Sequence, residues 1–270
     1  MKIVSMIRWE PHLIYFANRI HQSFPLALAI VEKPSRDLSW FRSFIGKHGA
    51  CWAFLLMLDA LINKKVSDRN HSRFFQESWR TLDPQIPVMF TEDINAAPVN
   101  ERLQRLKPDL ILDHGTSIVK NDILRTSSLA LNLHWGLSPY YRGTHCTEWA
   151  LLNWDPANIG VTIHRLSRKI DGGSIVVQAR ATLSPDDTVH TINMQLTQKG
   201  TDLCLAVLEK ILSGDELTFH RQELAQGFLK TQRQWTFPVY RNLRGLERSG
   251  ALALMLDKPS RPGLPIVTLE

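Results

Sequence analysis

The chain has 270 residues, of which 44% are hydrophobic and 21% charged, with a formal net charge of +6. That is enough apolar chain to bury a sizeable core in one or two domains, and it excludes a disordered or collagen-like composition. The longest apolar stretch, residues 51–62, contains Asp59 and is too short to span a bilayer, and residues 1–7 lack a long apolar leader.

Residues 2–7 read as a strand, 11–20 as a helix with Pro11 in its first turn, and 25–31 as a second apolar strand. This β-α-β opening predicts a parallel sheet. The first loop, Arg8-Trp9-Glu10, has no glycine, so a glycine-rich phosphate cradle is absent there. Residues 36–80 are the least regular. Within them 50–62 and 72–79 have helical character after a break at 46–49, and a crossover helix is preferred to a helical insertion. Residues 86–90 read as a strand, 99–106 as a helix, and 109–112 as a third buried strand. Residues 129–134 form the next strand, 140–143 a turn, and 147–154 a helix whose Trp149 and Leu152 pack on the sheet. Strands follow at 160–165 and 175–179. Residues 184–188 start a long helix, 189–212, with Leu203, Val207 and Ile211 on one face, Gly200 as a candidate interruption and 213–215 as its end. The rest, 219–270, reads as a short tail. The expected fold class is α/β: a Rossmann-like, mostly parallel sheet with flanking helices over residues 1–183, and a C-terminal helix with a small extension over 184–270.

The chemistry concentrates where the 129–134 strand ends. Asn132 and His134 are two residues apart, so on a strand their side chains share a face. An amide donor beside an imidazole can stabilise an acyl-transfer oxyanion. The later turn Lys169-Ile170-Asp171-Gly172-Gly173 could supply a carboxylate to His134, holding the imidazole protonated and relaying a proton from an amine. The two glycines let the backbone bend back toward His134. His164 reads as structural.

Asn132-x-His134, then Ser138-Pro139-x-x-Arg142-Gly143, then Gly160-Val161-Thr162-Ile163-His164, then Ile170-Asp171-Gly172-Gly173 resembles the folate-dependent formyltransferases. The likeness is strong over residues 108–177 and weak outside them. It implies a formyltransferase fold, with 10-formyltetrahydrofolate as formyl donor and Asn132, His134 and Asp171 as catalytic residues. It further implies folate contacts at Thr116, Ser117, Val119, Ile170 and Gly172. Arg8, Trp9, Tyr140 and Arg142 are the candidate substrate contacts.

Within that family, a small amine carried on a nucleotide, an amino sugar, is the favoured acceptor. The glycine-free first loop counts against the ribonucleotide of the purine-pathway relatives. The stretch after residue 212 is expected to be too short for a tRNA-binding domain. An amino-acid amine, methionyl-tRNA and hydrolysis of formyltetrahydrofolate are the alternatives; the hydrolases carry an extra N-terminal domain for which no room is expected before Lys2. A binding protein with an inert site conflicts with the complete Asn-His-Asp set. Basic residues at Arg36, Arg42, Lys47, Lys64, Lys65, Arg241, Arg244 and Arg248 read first as solvated surface, and second as attraction for an anionic substrate. No long basic run points to nucleic acid. No HExxH or Cys/His cluster points to a metal, and Cys51, Cys146 and Cys204 form no ligand-like pair, which fits a reducing, cytoplasmic setting. A homodimer stays open.

Overall fold

A computed structural model describes residues 1–33, 45–46, 49–258 and 262–269. Arg36, Arg42 and Lys47 lie outside the described residues, as does part of the 46–49 break. The elements in order are β1 (Ile3–Arg8), α1 (Pro11–Ser23), β2 (Leu26–Glu32), α2 (Ala50–Phe75), β3 (Val88–Thr91), α3 (Ala97–Leu106), β4 (Leu110–His114), α4 (Asn121–Leu124) and β5 (Leu129–His134). There follow β6 (Tyr141–Gly143), α5 (Cys146–Leu152), β7 (Gly160–Arg165), β8 (Ile175–Arg180), α6 (Val189–Leu212), β9 (Phe228–Lys230), α7 (Phe237–Arg248) and α8 (Ala251–Asp257).

Seven strands form one sheet in the order β3-β2-β1-β4-β5-β7-β8. β1, β2, β3, β4 and β5 run parallel, while β7 and β8 are antiparallel to their neighbours. Strand order reverses between β1 and β4, because β2 and β3 lie on one side of β1 and β4 and β5 on the other. In such sheets the crevice at the carboxyl ends beside that reversal takes the ligand. The mostly apolar runs follow from burial on both faces: every residue of β4 is buried, and β1 is buried from Ile3 to Ile7. Each fully buried Leu or Ile contributes about 1.5–3 kcal/mol.

Helix α1 begins at Pro11, whose missing N–H costs nothing in a first turn, and it buries Leu13, Phe16, Ala17 and Ile20. Residues 50–75 form one crossover helix, so the segment after 72 continues it rather than starting another. Helix α6 opens with a reciprocal cap: the Thr188 hydroxyl accepts from Thr191 N at 3.2 Å, and the Thr191 hydroxyl accepts from Thr188 N at 2.9 Å. Gly200 does not interrupt it. A Cβ there would lie 2.7 Å from Leu133 Cδ1, so the bare Cα lets α6 settle onto β5.

The residues after α6 are not a tail laid on the surface. β9 pairs in parallel with β6, which the sequence suggests only as a turn. Trp149 meets Trp235 edge to face at 5.9 Å, from the C-terminal segment, in addition to packing against the main core. Ile192, Leu208, Leu243, Leu252 and Met255 belong to the same apolar cluster as Ile3, Leu112 and Leu133. One core therefore runs across residue 183. No described helix is long and apolar enough to cross a membrane.

Candidate active site

β5 delivers Asn132 and His134 to one face at its carboxyl end, 8% and 7% exposed. Asp171 reaches them from the loop between β7 and β8. Its backbone sits in the left-handed region at φ +46°, and a Cβ on Gly173 would collide with the Arg165 carbonyl. That close approach folds the loop back over the sheet. Asp171 Oδ2 lies 3.5 Å from His134 Nδ1 and accepts from Gly143 N at 2.7 Å. Gly143 in turn stands at φ +95°, pressed on the Lys230 carbonyl.

The electrostatics favour a charged Asp171. Burial alone would raise its carboxyl, but His134, His164 and the Gly143 N–H outweigh burial and hold it well below the usual carboxylate range. His134 goes the other way. Burial lowers its pKa, His164 and Arg142 add to that, and Asp171 and the Tyr141 carbonyl oppose without reversing it. Burial thus opposes the imidazolium that Asp171 favours, and the net direction for His134 is toward the neutral ring. Its Nε2 is 3.1 Å from the Tyr141 carbonyl and carries the hydrogen, which leaves the Nδ1 lone pair beside Asp171. A ring so placed accepts a proton at Nδ1 and gains an ion pair on doing so. Behind it, Cys146 Sγ lies 3.6 Å from Nε2, and burial pushes that thiol well above its ordinary value, so it stays neutral.

Two further residues join the constellation in places that the sequence does not assign them. His164, read as structural, faces inward: Nε2 is 3.1 Å from the Asn132 amide and 3.6 Å from Asp171 Oδ1. Asp113, at the end of β4, is 5% exposed and lies opposite Asn132 in the strand pairing. It accepts from the Thr116 hydroxyl. Both positions depend on which strands flank β5, which no local pattern announces.

The other candidates divide. Thr116 and Ser117 follow β4 on the same side of the sheet, and Val119 turns into the core. Arg8 joins this group: Nε is 3.1 Å from Glu32 Oε2 and Nη2 donates to Ser117 Oγ at 3.2 Å. Trp9 is 39% exposed, 5.6 Å from Phe90, with Lys33 Nζ 6.0 Å from its ring. Ile170 and Gly172 flank Asp171 and are half-buried. Tyr140 and Arg142 turn elsewhere. Tyr140 Oη donates to the Pro265 carbonyl at 3.3 Å. Buried Arg142 donates to the Pro139 and Leu224 carbonyls at 3.4 and 3.2 Å, so its guanidinium ties down the C-terminal segment. Among the described residues no group of three or more His, Cys, Asp or Glu side chains could hold a metal ion.

Residues 67–208, more than half of the chain, match the family described as formyl transferase. The chain belongs to the formyl transferase family. This formyl transferase is 30% identical over 209 residues to the bifunctional polymyxin resistance protein ArnA of Wigglesworthia glossinidia brevipalpis, covering 72% of this chain and 32% of that protein. It is 36% identical over 155 residues to methionyl-tRNA formyltransferase of Limosilactobacillus fermentum, covering 57% of this chain and 49% of that one. The chain thus spans about a third and about half of the lengths of these two curated relatives. In fold it is similar to an N-formyltransferase from Helicobacter canadensis, with a TM-score of 0.55 at 14% identity, over 86% of this chain and 72% of that one.

Proposed function

We propose that the chain transfers a formyl group from 10-formyltetrahydrofolate to the primary amine of a small molecule, an amino sugar carried on a nucleotide. The observation that carries this reading is the grouping of Asn132, His134 and Asp171 at the end of β5, with a carboxylate 3.5 Å from a buried imidazole. The donor supplies, when bound, a formyl group on a nitrogen that leaves as an amine. The residues beside the triad fit it. The turn after β4 opens at Gly115, φ +76°, and presents Ile118, 64% exposed, as an apolar face for a flat ring. Thr116, Ser117, Ile170 and Gly172 would hold it, with Val119 supporting the turn from the core.

Each protein group then has one task. Asn132 donates to the formyl oxygen as negative charge develops there. His134 takes the proton released by the attacking amine at Nδ1, and Asp171 stabilises the imidazolium so formed. The imidazolium returns that proton to the departing nitrogen. One carbon–nitrogen bond forms, one breaks, and the proton balance closes.

A nucleotide-linked acceptor is supported by the patch at the ends of β1, β2 and β3. Trp9 and Phe90 offer aromatic faces for a base, and Arg8 and Lys33 offer cations for phosphates. The related Helicobacter canadensis protein was solved in complex with folinic acid and dTDP-3-aminofucose. The test is incubation with 10-formyltetrahydrofolate and a panel of nucleotide-linked amino sugars, free amino acids and charged initiator tRNA, read by mass spectrometry. Formylation of a nucleotide-linked amino sugar is the expected result. Faster formylation of the tRNA, or release of formate with no adduct, overturns it.

A further inference from the structure

Asn132 lies between two titratable groups on the neighbouring strands. β4 places Asp113 opposite it on one side, and β7 places His164 opposite it on the other. One end of the amide is 3.0 Å from Asp113 Oδ2 and 3.1 Å from the Asp113 carbonyl oxygen. The other end is 3.1 Å from His164 Nε2 and 3.5 Å from Asp171 Oδ1. His164 Nδ1 is 2.9 Å from the Arg165 carbonyl oxygen and so carries a hydrogen throughout. The neutral ring therefore has a bare Nε2.

Two orientations of the amide suit these contacts, and the proton on Asp113 selects between them. With the proton on Asp113 Oδ2, the acid donates to the Asn132 oxygen, and the amide nitrogen gives one hydrogen to His164 Nε2 and holds the other, only 3.5 Å from Asp171 Oδ1, for the formyl oxygen to take over. The amide oxygen then faces the Asp113 carbonyl, a repulsion offset by the acid's hydrogen bond. With Asp113 ionised, the amide turns over, so that its oxygen faces His164 Nε2 at 3.1 Å. The amide nitrogen then spends both hydrogens on Asp113 and has none for a substrate.

We propose that Asp113 is a positioning residue: while its carboxyl holds a proton it keeps the Asn132 amide nitrogen toward the reaction site, and when that proton is lost to solvent the amide turns over and can no longer donate to the formyl oxygen. Its kinetic consequence rests on the formyl-transfer reading. The surroundings hold the carboxyl near its balance point. Burial raises it, and Glu32 from β2 and Asp171 raise it further; the Thr116 hydroxyl and Arg8 from β1 pull it down, leaving it at about 7.

Two measurements test the proposal on the full chain. The first is a ¹³C NMR titration of Asp carboxyls without substrate. A carboxyl that titrates between about pH 6 and 8, and is missing from Asp113→Asn, is expected; titration of Asp113 in the ordinary carboxylate range, about pH 4, overturns the idea. The second compares kcat of Asp113→Asn with wild type across pH. The Asn amide donates to the Asn132 oxygen as the protonated acid would, so the ratio should rise more than about tenfold from about pH 6 to 8.5, with KM for folate little changed. Asp113→Ser, which keeps a hydroxyl donor, should behave in the same way. A ratio flat in pH for both variants, with both folded by thermal melt, overturns it. The NMR result does not need a known amine, so failure of this inference and failure of the formyl-transfer reading are told apart.

Discussion

Gly136 lies directly under the ring of His134: a Cβ at residue 136 would come within 2.4 Å of His134 Nε2 and 2.6 Å of the Tyr141 carbonyl. The same carbonyl accepts from Nε2, so the glycine and the ring's orientation are linked. Gly136→Ala must therefore move either the imidazole or the chain beneath it. We expect kcat to fall by about 10²-fold, with affinity for 5-formyltetrahydrofolate changed far less. Steady-state kinetics beside calorimetry would check this. Unchanged kcat would mean that the ring is not held by this turn.

Asp171→Asn keeps the shape of the side chain and removes its charge. The imidazolium of His134 would lose its partner at 3.5 Å, and turnover should drop by roughly 10²–10³. Asn132→Ala and His134→Ala should each cost about as much, and the double variants should cost less than the product, since all three groups serve one transition state. Multiplicative losses in the double variants would contradict a shared role.

Gly200→Ala sets two effects against each other. Alanine is better than glycine in a helix by about 1 kcal/mol. Against this, the new methyl would press into Leu133, which is 3% exposed and cannot swing away, and overpacking costs about 1–3 kcal/mol. The packing cost wins, and urea denaturation should show a net loss on the order of 1 kcal/mol. Since Leu133 sits between Asn132 and His134, turnover should fall as well.

His114 is buried among Phe16, His12 and Trp135, and burial pushes its pKa down to about 3. Burial also lowers His12, and His71 to about 4. For a histidine depressed in the folded state, the unfolded chain binds more protons, so its stability is present above the unfolded value of 6.5 and is lost as pH falls toward the folded value. At pH 5 His114 alone should cost about 2 kcal/mol relative to neutral pH. Urea midpoints at neutral and mildly acidic pH would show this, and His114→Leu should lower the pH slope by about one proton.

The parts of this molecule that are legible in its sequence are the local ones. The strand 129–134 and the helix 189–212 carry their own signals, an apolar run ending at a Pro-Gly turn and a Thr-capped apolar stripe, and both lie where those signals put them. Asn132 and His134 share a face because of a two-residue spacing, and the glycines after Asp171 mark its loop. Asp113 and His164 were illegible as partners because their meaning comes from strand pairing, which brings residues 19 and 32 positions away beside Asn132. The same holds for Arg142, whose carbonyl partner at Leu224 is 82 residues distant. Residues 219–270 showed no sustained period, since their contribution to the core comes from a few side chains such as Leu243 and Met255.

The pairing of β6 with β9 has a bearing on how the molecule is made. Gln222 donates to the Asp171 and Gly173 carbonyls, Arg142 to the Leu224 carbonyl, and Thr144 N to the Lys230 carbonyl. Asn132, His134 and Asp171 all precede Leu212, and besides the Gly143 N–H the bonds that clasp the Asp171 loop come from Gln222. The last stitches are sewn by residues 222–230. The Asp171 loop is thus held in place by a segment about 50 residues further along the chain.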